Sequence, residues 1–219
     1  MVEVELLRRI GYFEDLDAAS LDEIAAVADE RRLERGDVLF SEGDEPDELF
    51  VVTSGRIAVA TRSVDGRESM LAMLEDGEVV GEMPLFDGLD RSADARALEP
   101  STVIAIPYAP LRRRYEDQPQ LLWKVVEVLA RRLRTMDMAL ADSVFLDVTG
   151  RTAKRLLDLA GDADEFSLPV TQEELAGMVG ASRERVNKAI ASFIRLGWIE
   201  QHDGRYVIVN RDQLTLRAH

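Results

Sequence analysis

Apolar residues change their spacing three times along this chain of 219 residues. Near the start, Leu21, Ile24, Ala25 and Ala28 recur at helical intervals and predict a short helical entry. From about Leu33 to Ile106 the rhythm shortens. The runs DVLF, ELFVVT, RIAVAT, SMLAML and TVIAIP read as strands, separated by turns carrying Gly36, Gly43, Gly55, Gly66, Gly77 and Gly81. Many short strands punctuated by glycine predict an antiparallel barrel or sandwich of the jelly-roll kind. Then Leu122, Val126, Leu129, Leu133, Met136 and Leu140 follow a 4-3-4-3-4 spacing on one long helix, with Pro119 suited to its first turn. A seam sustained for about three heptads is the pattern of a coiled-coil dimer. The competing arrangement is a helix packed on its own barrel. The remaining positions (Lys124, Glu127, Arg131, Arg134, Asp137) are polar and leave little other apolar surface for that. Near Asp147 the segment VTG breaks the helix.

The last third holds the most specific pattern, TQEELAGMVGASRERVNKAIASFIRLGWI over residues 171–199. Thr171 and Glu174 fit a capping box, in which each side chain satisfies a backbone donor at a helix start. Leu175, Met178 and Val179 stripe that first helix, and Gly180 ends it. Ser182 caps a second helix whose Val186, Ala189, Ile190 and Phe193 face a core. Arg183, Glu184, Asn187 and Lys188 fall on the opposite face. A compact helix-turn-helix with such a free face is built to enter a DNA major groove. An arginine bonds both guanine acceptors at once, and a carboxylate accepts from the cytosine amino group. Arg183 beside Glu184 suits a G·C step, with Lys188 one turn on and Arg185 at a phosphate. The bland alternative is a solvated surface of weak neighbouring ion pairs. Downstream, Asp203-Gly204 marks a hairpin between strand-like runs, a wing with Arg205 at its tip facing a phosphate, or a plain cover for the core.

Composition bounds the rest. No run is long and apolar enough to cross a membrane, and the amphipathic opening residues are no signal peptide, so the expected compartment is the cytoplasm. Without cysteine there is no disulfide, thiolate-bound iron–sulfur cluster or thiol switch, and two histidines make haem or a metal site improbable. The net charge of −15 looks wrong for a DNA binder. Its distribution resolves the conflict: residues 1–110 hold 10 basic and 26 acidic side chains, whereas residues 150–219 hold 10 of each. DNA affinity depends on local cations, and an acidic front half is kept clear of the duplex.

GEMPLFDGLDRSA (81–93) is a second constellation. Gly81 lets backbone approach a ligand, and Pro84 is preset for a first helical turn whose donors face an anion. Arg91 is a fork-shaped cation for a phosphate, Ser92 adds a hydroxyl, and Glu82 accepts from a sugar hydroxyl. Together they match a phosphorylated sugar; the alternative is a semi-buried Glu82–Arg91 ion pair that fixes a loop.

At these residues the chain resembles the bacterial cyclic-AMP receptor protein and FNR family of transcription regulators, over nearly its whole length. The likeness rests on the glycine-punctuated barrel, GEMPLF…RSA, the long helix with ARRLR, FLDVTGR and GASRERVNKAI. It implies an α+β fold: an effector domain like a cyclic-nucleotide-binding jelly roll (1–118), a dimerisation helix (119–146) and a winged helix-turn-helix (147–219). It implies a homodimer on palindromic DNA with half-sites like TGTGA. It places cyclic AMP, as effector, with Gly81 and Glu82 on the ribose and Arg91 and Ser92 on the phosphate. RNA polymerase is the expected further partner, through surface loops such as GDADEF (161–166). The base-reading end departs from the family. Where its best-known members use a threonine and a small polar residue on the adenine amino group, this chain has Met136 and Asp137. Met136 cannot make that bond, Thr135 sits about 100° round the helix, and Asp137 serves only if turned to the pocket. Arg132 is close enough in sequence to add a cation. A regulator answering to another effector, or to none, is the alternative. No catalytic motif points to an enzyme.

Overall fold

The computed structural model describes residues 2–64, 68–202 and 204–219; the turn expected at Gly66 and the Asp203 half of the hairpin signal lie outside them. In chain order the elements are α1 (Val4–Arg8), α2 (Ala18–Val27), β1 (Asp29–Leu33), β2 (Val38–Phe40), β3 (Glu48–Ser54), β4 (Ile57–Arg62), β5 (Glu68–Leu74), β6 (Val79–Val80), α3 (Met83–Asp87), β7 (Asp94–Ala97), β8 (Ser101–Pro107) and α4 (Tyr108–Asp117). A 3-10 turn at Pro119–Leu121 leads into α5 (Leu122–Phe145), followed by α6 (Val148–Ala160), β9 (Glu165–Ser167), α7 (Gln172–Val179), α8 (Arg183–Arg195), β10 (Ile199–His202), β11 (Arg205–Ile208) and α9 (Arg211–Arg217). Two compact units result: one takes the chain up to Ser63 with Leu71–Arg134, the other Val64–Met70 with Thr135–His219.

The first unit carries two four-stranded sheets, ordered β1-β8-β3-β6 and β2-β7-β4-β5. All the pairings recorded between their strands are antiparallel. The period-2 geometry of strands explains the continuous apolar runs of β3 and β8. Phe50 and Val52 point inward with Ile57, Ala95, Ala97, Val103 and Ala105. Leu49, Val51, Ile104 and Ile106 point outward and are covered by Leu7, Phe13, Leu21, Ile24, Leu111 and Val125 from the helices. Both faces are dry, so neither strand alternates apolar with polar residues.

The long helix corrects one expectation. It does own a second apolar edge: Leu121, just before it, and Val125 are buried in the helix-covered core, with Leu122, Val128 and Leu129 packed against them. The seam beyond is uncovered. Val126, Leu133, Met136, Leu140 and Val144 are each more than half exposed.

In the second unit VTG does more than break a helix: it opens α6. Asp147 is the cap, its carboxylate accepting from the Gly150 amide at 2.8 Å and pairing with Arg217. Arg151 donates to the carbonyls of Leu146 (2.7 Å) and Val179 (2.8 Å), and Lys154 pairs with Asp142 at 2.6 Å. GDADEF also differs from the expected loop, because Glu165 and Phe166 begin β9, an edge strand of the wing sheet β10-β11-β9.

The Asp147 cap yields a pH-dependent prediction. Its carboxyl is held below the usual carboxylate range chiefly by the Gly150 amide; burial opposes this, and Arg217 adds to the lowering. A carboxylate depressed in the folded state adds stability above its unfolded value, near pH ~4. That stability is lost as pH falls through the folded value. Asp147→Ala is expected to cost about 1 kcal/mol at neutral pH, with the gap to the parent protein narrowing in acid. Denaturant titrations at both pH values check this, and an unchanged gap would contradict it.

Candidate functional site

The recognition surface grows from two caps. The Thr171 hydroxyl accepts from the Glu174 amide (3.2 Å) while the Glu174 carboxylate accepts from the Thr171 amide (2.7 Å), a complete capping box. Gly180 ends α7 at φ +66°, where a side chain would be strained. The Ser182 hydroxyl accepts from the Arg185 amide at 3.4 Å and starts α8. Val186, Ala189, Ile190 and Phe193 are then buried, with Phe193 stacked on Trp198 at 5.7 Å. Arg183, Glu184, Arg185, Asn187 and Lys188 are all exposed.

Two charges on this surface are engaged. Lys188 donates to Glu184 at 2.8 Å and holds its carboxyl below the usual range. Arg205 pairs with Glu165 at 3.0 Å, because β9 brings that carboxylate beside the wing. The tip arginine expected to be free for a phosphate is therefore held by the wing itself. Arg183 and Arg185 have no ion pair among the described residues.

The barrel site is organised around Arg91. Gly81, between β6 and α3, has φ +77°, and a Cβ there would overlap the Arg91 guanidinium and crowd Phe40 at 3.3 Å. Arg91 is 5% exposed. It donates to the carbonyls of Gly81 (2.8 Å) and Glu48 (2.7 Å) and to the Tyr108 hydroxyl (3.0 Å), and its guanidinium carbon lies 4.2 Å over the Phe40 ring. Tyr108 in turn donates to the Gly81 carbonyl; burial outweighs the nearby arginine and pushes its hydroxyl up to about 12. The Arg91 Nε is buried without a partner.

Glu82, 2% exposed, does not pair with Arg91. It is taken by Arg132, which reaches it from α5 and also donates to the Val79 carbonyl. The expected Glu82–Arg91 loop-fixing pair is thus replaced by Glu82–Arg132, and a residue that spacing left unplaced becomes part of the site. Arg91 is left as a desolvated cation with neutral acceptors and no counter-ion among the described residues. Such a charge favours an incoming anion. Its orphaned Nε fits an oxygen of a phosphate, while the missing side chain of Gly81 makes room for the guanidinium itself. Ser92 is exposed, with its hydroxyl 3.9 Å from the Met83 sulfur. Met136 and Asp137 are exposed on α5.

Sequence reasoning missed Tyr108, Glu48 and Phe40. Arg91 binds the backbone carbonyl of Glu48, a contact that no side-chain pattern encodes, whereas an aromatic residue just after β8, at the start of α4, was a usable signal. Among the described residues no helix is long and apolar enough to cross a membrane, and no His/Cys/Asp/Glu group could hold a metal ion.

Comparison with known proteins matches two stretches of the chain. Residues 30–118 fit the profile of the cyclic nucleotide-binding domain, and residues 150–217 that of the Crp-like helix-turn-helix domain. A CRP-like cAMP-activated global transcriptional regulator of Mycobacterium tuberculosis is 35% identical over 221 residues, covering 98% of this chain and 99% of the relative. The cAMP-activated global transcriptional regulator CRP of Salmonella typhimurium is 32% identical over 178 residues, covering 78% and 84%. Among solved structures, the c-di-GMP responsive global regulator CLP of Xanthomonas campestris superposes with a TM-score of 0.75 at 28% identity, covering 88% and 99%. With a barrel whose site holds a buried cation and, later in the chain, a winged helix-turn-helix, this chain belongs to the CRP/FNR family of DNA-binding transcription regulators and is not an enzyme.

Proposed function

We propose that the chain acts in the cytoplasm as a homodimeric, sequence-specific regulator whose DNA affinity is set by a cyclic nucleotide in the barrel, cyclic AMP first. The observation that carries the effector reading is Arg91, buried without a counter-ion beside Gly81. A cyclic phosphate there meets Arg91 and Ser92, and its ribose meets Gly81 and Glu82, with Arg132 sharing the carboxylate. The exposed apolar stripe of α5 is the dimer seam. Ligand preference for the DNA-competent state then shifts a pre-existing equilibrium at the segment near Asp147. A preference of about 2.7 kcal/mol changes that equilibrium constant roughly a hundredfold.

On DNA, the two copies of α8 enter successive major grooves about 34 Å apart over a palindrome with TGTGA-like half-sites. Arg183, Glu184 and Lys188 read base edges, the last two after exchanging their mutual pair for the duplex. Arg185, Thr171, Ser182, Asn187 and Arg205 serve the backbone and the edges of the groove, Arg205 by leaving Glu165. RNA polymerase is the further partner of such a complex. Arg183→Ala is expected to cost about 1–3 kcal/mol of operator binding and to relax one base position. A gel shift on a TGTGA palindrome with a scrambled competitor measures both, and unchanged affinity and selectivity would remove this face from the recognition surface.

A second reading keeps the DNA function and changes the effector. Met136 and Asp137 occupy the sequence positions at which the family's best-known members read adenine, and the Xanthomonas campestris relative is described as c-di-GMP responsive. Calorimetric titration with cyclic AMP, cyclic GMP and c-di-GMP separates the readings. Heat from either mononucleotide supports the first. Heat from c-di-GMP alone, or from none of the three, supports the second.

A further inference from the structure

Ahead of the stretch that matches the cyclic nucleotide-binding domain, between α1 and α2, Tyr12 is only 5% exposed. Its hydroxyl is buried with no completed hydrogen bond. The charged groups bearing on it are Glu82 and Arg132, and burial together with Glu82 keeps the phenol protonated far above neutral pH. It is therefore a donor, and it packs in the same buried core as Val79 and Leu85, which lie on either side of Glu82 in the chain, a carboxylate that is itself 2% exposed. The backbone of Tyr12 is fixed from behind: the Tyr115 hydroxyl donates to its carbonyl at 2.9 Å, and the Tyr115 ring also packs on Phe86 of α3 at 5.8 Å. Both tyrosines thus share the buried core with Leu85 of α3, and Tyr115 also rests on Phe86 near the end of that helix.

A buried donor without an acceptor is costly, and natural interiors hold few. Glu82 gives one oxygen, Oε1, to Arg132. To accept from a sugar hydroxyl it must present its other oxygen to the ligand, and a donor behind it would fix the plane of the carboxylate in that orientation. The geometry points to Tyr12 as a positioning residue for Glu82: its hydroxyl completes its bond to the carboxylate when a ribose 2′-hydroxyl engages Glu82. This rests on the nucleotide reading above and extends the site into a segment before the matched domain.

The test is Tyr12→Phe in the full chain, which removes one oxygen and keeps the ring in the core. The probes are cyclic AMP and 2′-deoxy cyclic AMP, titrated calorimetrically. The variant is expected to lose about tenfold in affinity for cyclic AMP (about 1.4 kcal/mol) and little for the deoxy analogue, so the parent protein's preference for the 2′-hydroxyl collapses. In a Glu82→Gln background the same change is expected to have no further effect. Equal losses on both ligands, or none, would overturn the positioning role and leave the nucleotide reading standing. If the parent protein binds neither probe, the nucleotide reading fails and takes this role with it.

Discussion

Arg91→Ala is expected to destabilise the first unit by about 3 kcal/mol and to abolish calorimetric heat from cyclic AMP. The stability loss follows from what the guanidinium holds. Three acceptors, the carbonyls of Gly81 and Glu48 and the Tyr108 hydroxyl, lose a donor at once in a buried setting. Losing the donor to a buried acceptor costs about 1–3 kcal/mol, least at the Gly81 carbonyl and the Tyr108 hydroxyl, which still bond each other. The ring faces of Phe40 and Phe50 also lose their cation, which lies 4.2 Å and 5.7 Å from the two centroids. Relaxation and entry of water recover part of this, which sets the expected figure near the lower bound of the sum. The binding loss has a separate cause, because no other cation lies within the Gly81–Ser92 segment. Arg91→Lys separates the two effects: it restores charge without the planar fork, so it should recover part of the ligand affinity and little of the stability. Denaturant unfolding and calorimetry on the same samples read both. Parent-like cyclic AMP binding by Arg91→Ala would remove the phosphate assignment.

Leu133→Glu is expected to turn a dimer into monomers at micromolar concentration and to weaken operator binding at least a hundredfold, about 2.7 kcal/mol. Leu133 is 59% exposed in the protomer, so the substitution should barely change protomer stability. In an isologous seam every residue acts twice. Burying a leucine stabilises by about 1.5–3 kcal/mol, so about twice that is lost, and two carboxylates are brought face to face. Sedimentation velocity reads the first consequence and a gel shift on a two-half-site palindrome the second. A variant that stays dimeric would show that the copies meet elsewhere.

Local patterns carried most of the fold. The glycine turns and apolar runs predicted five strands, each of which forms, and Thr171, Glu174, Gly180 and Ser182 fixed the ends of α7 and α8 by chemistry that acts within four residues. Elements lacking such patterns were not legible. β1 is the charged run DERRL, half-exposed at a sheet edge, and β7 alternates Asp and Arg with the alanines Ala95 and Ala97, whose small side chains fill a crowded interior without announcing a strand. The opening of α6 was hidden because its VTG start read as a break, when Asp147 caps it through a bond three residues on.

By itself the sequence determined the kind of parts present: a glycine-punctuated barrel, a heptad helix and a capped helix-turn-helix, together with the cation, carboxylate and glycine of the barrel site. These follow from short-range periodicity, backbone stereochemistry and residue chemistry. Only the tertiary structure decided which charges meet. Glu82 went to Arg132, fifty residues away, Arg91 to backbone carbonyls and Tyr108, and Arg205 to Glu165. The reason is that a buried charge takes whatever partner the packing brings within about 3 Å, and packing is set by contacts distant along the chain, to which spacing along the sequence is blind.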